Sequence, residues 1–431
     1  MNRLGDWILD SASGPFGSNL KVECFVDDGF PIIDGANLKE VEVTDNITKF
    51  VTEEKARSLG RSIAKRHDVV VTISGTLGQI SYIPLDSKYP EYLCSQRQFR
   101  VTFDESKVDV EYLVYYFHTT VGQKKILSFA NYVGVPALAQ PLPNFRAIQV
   151  DFPDLDTQHK VVKAIKSFDN LIKTNQRINR NLEELARLIY DYWFVQFDFP
   201  DKNGKPYKTS GGKMVYNDQL KREIPAEWEV APISNLIEEK SNGEWGKEDA
   251  SANDIQVHCV RGADIVDMVD MPIRYIPLKK SGCILKPNDI VIEVSGGSPT
   301  QSTGRSTLVI QDTLDRFDIP MTCSNFCQII RLHDPKSASY FFEMWQKFYT
   351  SGVFFNFEGK TSGIKNFQTD AFVSTPWINP PKTLLNKFHE ICQDFMKKKE
   401  KNITEIQKLT ALRDHLLPLL MNGQVSVENL P

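Results

Sequence analysis

Residues 377–382 read Trp-Ile-Asn-Pro-Pro-Lys. In amino-group DNA methyltransferases, Asn-Pro-Pro followed by an aromatic clamps a flipped base, with the ring stacked on the base face. Lys382 stands where that ring would be, and stacking is half of what such a pocket does. A methyltransferase also needs a Gly-rich turn for its cofactor, and no G-x-G-x-x-G opens a helix in this chain. The stretch therefore reads as a Pro-Pro stop before a helix, and Asn379 is not assigned a catalytic role. "GGSPTQSTGRS" (296–306) has a phosphate-friendly composition, but six residues separate Gly297 from Gly304 instead of the four of a P-loop, and Arg305 replaces the Lys. The seven Cys include no C-x-x-C pair. Cys323 and Cys327 have no His nearby, and His258-Cys259 are mere neighbours, so reduced, buried thiols are expected in place of a disulfide frame or a metal site.

The elements behind these residues are bounded by composition. At 431 residues, 41% hydrophobic and 25% charged, the chain should hold two or three globular domains. No apolar run approaches the roughly 18 residues of a membrane span. "MNRLGDWILD" does not have the long apolar stretch of a secretion signal, so the cytoplasm is the expected location. The net charge of −4 does not mark a free-standing nucleic-acid binder. Residues 1–150 hold 16 Lys and Arg against 18 Asp and Glu, and residues 202–380 hold 20 against 22. If DNA is the partner, other subunits must supply much of the phosphate contact.

A long repeat organises the chain. "DVVVTISG" (68–75) returns as "DIVIEVSG" (289–296), and "CSQRQFRV" (94–101) as "CSNFCQIIRL" (323–332), read as strands entered through Cys-Ser. The aromatic helices "EYLVYYFHTT" (111–120) and "ASYFFEMWQKFYTS" (338–351) follow, then the Gly-containing loops "NYVGVPALAQ" (131–140) and "GKTSGIKNFQ" (359–368). The offset is 221 at the first strand, 229 at the second and 227 beyond, so loops carry the insertions. Each half closes on a long helix. Phe168, Leu171, Asn175, Ile178, Leu182, Leu185 and Ile189 are spaced as a heptad seam. Its repeat partner takes Phe395, Asn402, Ile406, Leu409, Leu412 and Leu416. Pseudo-twofold, antiparallel packing predicts that Asn175 and Asn402 face each other near the centre, fixing register. Residues 197–230, rich in Gly, Pro, Lys and Asp, read as a linker.

Together these features resemble the specificity subunit of type I restriction-modification systems, over essentially the whole chain. The resemblance rests on the paired strands "DVVVTISGT" and "DIVIEVSGG", on the helix entry "PDLDTQHKVVKAIKSFDNLI", on the helix exit "LEELARLIYDYWFVQFDFP", and on "GKPYKTSGGKMVYNDQLKREIPAEWEV". The second helix entry, "PPKTLLNKFHEI", lacks the Gln found at Gln158. The resemblance implies an α+β chain with two tandem mixed target-recognition domains, 1–153 and 231–380, each followed by a spacer helix, 154–196 and 381–422. The two helices would form an antiparallel coiled coil, and 423–431 would be a tail. It further implies a non-catalytic DNA reader without a cofactor of its own. Two methyltransferase subunits carrying S-adenosylmethionine, together with restriction and translocase subunits, would dock on it.

Base edges are read by Arg, Lys, Asn and Gln, while Lys, Ser and Thr hold the backbone. In the first domain the candidates are Ser74, Thr76, Gln79, Arg97, Gln98, Asn131 and Gln140; in the second they are Ser298, Gln301, Thr303, Arg305, Asn325, Lys360, Ser362, Lys365 and Asn366. The competing classes are a catalytically active DNA methyltransferase or nuclease, and a coiled-coil scaffold whose mixed domains bind protein.

Overall fold

The structure is a computed structural model and describes residues 1–296, 300–361 and 364–425. It divides into two compact units. Unit 1 is Met1–Ile172 with the chain from Lys408 onward, and unit 2 is Lys173–Gln407. Both are mixed α and β. No helix among the described residues is long and apolar enough to cross a membrane.

Unit 1 is built on a four-stranded antiparallel sheet in the order Ile8–Ser13, Gln98–Phe103, Val69–Thr72, Ile80–Tyr82. Its central strands are runs of β-branched and aromatic residues, and Val69, Val71, Phe99 and Val101 are fully buried. The helix Val110–His118 packs in the same core and starts at Asp109, whose carboxylate accepts from Tyr112 N at 3.0 Å. The first long helix, Leu155–Tyr190, adds Val161, Val162 and Ile165 to this core, and the second, Lys382–Met421, adds Leu417, Leu420 and Met421. Buried Gln158 ties the helix entry down: its Oε1 accepts from Asp109 N at 2.9 Å, and its Nε2 donates to Pro153 O at 2.7 Å. Arg413 donates to Asp169 at 2.7 Å, and Tyr115 donates to the same carboxylate.

Unit 2 repeats the plan with its own core. Its sheet runs Ile237–Asn242, Cys327–Leu332, Ile290–Glu293, Ser306–Leu308, again antiparallel. The aromatic helix Ala338–Thr350 buries Tyr340, Phe341 and Trp345. Cys-Ser does not enter a strand in either unit: Cys94 and Cys323 each end one, and the Ser lies in the turn to the next. Residues 197–230 are more than a connector. Phe197, Ile224 and Trp228 are buried in the core of unit 2, and Met214–Asn217 pairs with Arg222–Pro225 as a hairpin. Glu229–Pro232 pairs with Pro376–Asn379, so the Asn-Pro-Pro stretch is the end of a strand followed by the start of a helix, and Tyr340 Oη donates to Ile378 O at 2.7 Å.

The helix seam differs from the expected one at alternate positions. From residue 163 to the end of the first helix the buried residues are Ile165, Ile172, Asn179, Ala186 and Tyr190, whereas Leu171 and Leu185 are exposed. Phe168, Asn175, Leu182 and Ile189 are half-buried, as is Ile178. The expected set thus shares every second member with the real stripe and is one residue early at the others. On a helix of about 3.6 residues per turn, neighbours such as 171 and 172 flank the same stripe, and counting apolar residues favours the Leu. The fold instead turns Asn179 and Ala186 inward. On the second helix Ile403, Leu409 and Leu417 are buried, Phe395, Asn402, Ile406 and Leu416 are half-buried, and Leu412 is exposed. Within unit 2, Asn402 Nδ2 donates to Asn179 Oδ1 at 2.7 Å, so the amide partner lies one turn beyond Asn175. One turn further along the first helix, Glu183 pairs with Lys399 at 2.6 Å.

Candidate nucleic-acid interface

In both units the central strand begins on a buried aspartate. Asp68 Oδ2 accepts from Lys65 N at 2.8 Å and its other oxygen from the Thr102 hydroxyl at 2.5 Å; Asp289 Oδ2 accepts from Lys286 N at 2.8 Å. The repeat position of Thr102 is Arg331, which grips Asp289 at 3.0 and 3.1 Å. Burial raises both carboxyls above the ordinary carboxylate value, with these hydrogen bonds opposing the shift only in part. The aspartates fix where each strand starts, and hence where its Ser-Gly end arrives. They stood in the repeated octapeptides and were open to notice as the first matched residue of each.

In unit 1 that end opens on a cleft of about 580 Å³, lined by Ser74, Thr76, Gln79, Arg97 and Gln98 together with Asp34, Lys49 and Gln96. Five of the seven expected residues are therefore brought together. Thr76 and Arg97 are exposed, and the Arg97 guanidinium lies beside Gly75, where an added Cβ would stand 3.6 Å from Nη1. Gln79 is anchored: its Oε1 accepts from Thr72 Oγ1 at 3.1 Å, and its Nε2 donates to Gly35 O at 3.0 Å. Gln98 is 1% exposed and bonds Ser95 Oγ, so its amide supports the turn instead of projecting from it. Asn131 and Gln140 are exposed but are not among the residues lining the cleft. The Lys49–Asp34 ion pair at 2.7 Å is a part of the cleft that spacing did not reveal, because its members flank two paired strands of a separate sheet, Phe50–Val51 and Phe30–Ile33.

In unit 2 the corresponding residues are more tightly engaged. Arg305 Nε and Nη2 donate to the two oxygens of Glu293 at 2.9 and 2.8 Å, which raises the guanidinium's pKa. Thr303 is buried, with N and Oγ1 both donating to Glu358 Oε1, and Lys365 Nζ lies 3.0 Å from the same carboxylate. Arg305, Thr303 and Lys365 are thus held as struts. Ser295 Oγ donates to Asn366 at 2.6 Å, and Lys360 is paired in register with Lys365. Gln301 and Asn325 are exposed. Ser298 and Ser362 lie outside the described residues.

Burial pushes the Cys94, Cys259 and Cys327 thiols up to about 12, away from the reactive thiolate.

Comparison with known proteins places this architecture. The family model for the type I restriction modification DNA specificity domain matches residues 27–184. The chain is 24% identical over 385 residues to the type I restriction enzyme MjaIX specificity subunit of Methanocaldococcus jannaschii, covering 88% of this chain and 82% of that one. It is 22% identical over 342 residues to the HindI specificity subunit of Haemophilus influenzae, covering 65% and 69%. In fold it is similar to the crystal structure of a type I restriction-modification S subunit from M. genitalium, with a TM-score of 0.55 at 12% identity over 97% and 95% of the two chains. With its repeated octapeptides each holding a central strand of one of two like sheets, the chain is similar to the specificity subunits of type I restriction-modification systems in sequence and in fold.

Proposed function

We propose that this chain reads a split DNA target, one half with each unit, and carries no catalytic step itself. The observation behind this reading is the sheet order found twice, with corresponding strands offset by the repeat and with different residues at the Ser-Gly ends. Two recognition domains of one plan and diverged surface suit two unlike half-sites, much as dimer symmetry suits a palindrome. The long helices would act as an antiparallel spacer. In support, position numbers rise along one helix as they fall along the other: Asn179 with Asn402 and Glu183 with Lys399 in unit 2, and Asp169 with Arg413 in unit 1.

Neither recognition domain carries a positive balance, so tight DNA binding would need the complex. In this reading two methyltransferase subunits hold S-adenosylmethionine and methylate adenine, and restriction and translocase subunits join them for cleavage. The test is to incubate the pure chain with labelled S-adenosylmethionine and target DNA, with and without a methyltransferase subunit. Label should enter DNA only when the partner is present. Cofactor binding or methyl transfer by the chain alone would overturn the assignment.

A further inference from the structure

In unit 1 the strands Ala130–Asn131 and Ala137–Leu138 form a hairpin whose tip holds Tyr132, Val133 and Val135, exposed by 66, 87 and 66%. The tip is shaped: Asn131 Oδ1 accepts from Val133 N at 3.0 Å, and Gly134 takes the left-handed φ of +79°. Three large apolar side chains presented together at a turn are unusual, since turns are ordinarily polar and single exposed apolar residues are the norm.

The hairpin is also mounted on the cleft. Gly75 N donates to Pro136 O at 2.9 Å, Leu138 N donates to Ile73 O at 2.8 Å, and Ser74 bridges Ala137. The segment that carries candidate readers Ser74 and Thr76 thus carries the apolar tip. Unit 2 builds its own hairpin, Glu358–Thr361 with Ile364–Phe367, on Ser295–Gly296, and there Ile364 is 47% exposed. The tip of the unit 1 hairpin has no charge with which to hold phosphate. What the edge of a base pair offers an uncharged apolar group is the thymine C5-methyl in the major groove.

We infer that the Tyr132–Val135 tip is a base-edge contact of the first recognition domain, packing against a thymine methyl in its half-site. This rests on the DNA-reading assignment above and adds a residue class, apolar and uncharged, to the polar readers.

The probe is a duplex carrying the mapped target, bound by the chain together with its methyltransferase subunits. Each thymine of the first half-site is replaced in turn by deoxyuridine, which lacks only the methyl. One replacement should weaken binding about fourfold, the worth of one buried methyl group. The variant Tyr132→Ser/Val133→Ser/Val135→Ser should bind thymine and deoxyuridine duplexes alike and leave binding to random duplex unchanged. The scan on the parent protein needs no variant to fold. A half-site without thymine, a parent indifferent to every replacement, or a variant that keeps the parent's penalty would overturn the inference. So would a variant that loses its methyltransferase subunits on gel filtration, which would mark the tip as a protein dock. If the parent itself binds target and random duplex equally, the DNA-reading assignment fails, a result distinct from all of these.

Discussion

At the far end of the central strand, unit 1 places Thr72 opposite Gln79, and unit 2 places Glu293 opposite Arg305. The positions are equivalent, since Thr72 N donates to Gln79 O and Glu293 N donates to Arg305 O. One pair is a neutral hydrogen bond at 3.1 Å, and the other is a forked ion pair at 2.8 and 2.9 Å. Duplication kept the backbone and exchanged both partners together, as it must: a lone Glu293, 6% exposed, would be a buried charge without compensation. Residues that face each other at the end of the strand are therefore engaged with each other in each unit. Their neighbours Thr76 and Arg97 in unit 1 and Asn325 in unit 2 are exposed.

This contrast can be broken most severely at Arg305. Arg305→Ala should cost about 2–3 kcal/mol by leaving Glu293 unpaired, whereas Gln79→Ala in unit 1 should cost about 1 kcal/mol, the loss of neutral hydrogen bonds. Urea unfolding of the two variants checks this. The combination Glu293→Gln with Arg305→Gln should recover part of the loss. Equal costs at Gln79 and Arg305 would mean that the ion pair is no more than a surface contact.

A smaller effect is expected at the amide pair inside unit 2. Asn402→Leu should leave the 8%-exposed Asn179 without its donor, at about 1–2 kcal/mol. The double replacement with Asn179→Leu should return stability to the parent level or above it, while Asn175→Leu should be nearly neutral. A double-mutant cycle with no coupling would remove the pair from the account.

A further expectation concerns pH. Burial pushes Glu343 from its ordinary 4.5 up to about 8; Arg187 and Lys399 oppose the shift, and Glu183 and Asp191 add to it. A folded value above the unfolded one means that this group's stabilising contribution is full below about 4.5 and is lost as pH rises through about 8. Glu343→Gln should therefore flatten the fall in Tm between about pH 4.5 and 8, by roughly 2–4 °C for each kcal/mol recovered. Parallel Tm curves for parent and variant would show that Glu343 is not the titrating group.

How much of this was readable from the residues follows the range of the interactions. The strands Val69–Thr72 and Ile290–Glu293 are displaced by the same 221 as the repeated octapeptides, because alternation and β-branching are local signals. The helices were legible as helices, but their stripe was not fully so. Whether Leu185 or Ala186 turns inward depends on the buried aromatics Tyr190, Phe194, Tyr340 and Phe388 that share the core of unit 2 with Ala186. The Asn402 partner was one turn off, since repeat arithmetic cannot set the register of two helices. Phe197, Phe199 and Trp228 have no periodic spacing, and only the fold stacks Phe199 between Tyr207 and Trp228, at 4.6 and 5.1 Å. Arg305 reads as a base contact in the sequence because nothing in its spacing reveals Glu293, twelve residues earlier.

The central claim is that the two units read independently. The direct measurement is to exchange residues 231–378 for the equivalent domain of a relative and to map methylated adenines genome-wide in cells carrying the chimaera. The account predicts a motif in which one half is replaced and the other half and the spacer length are kept. A motif altered in both halves, or unchanged, would contradict it.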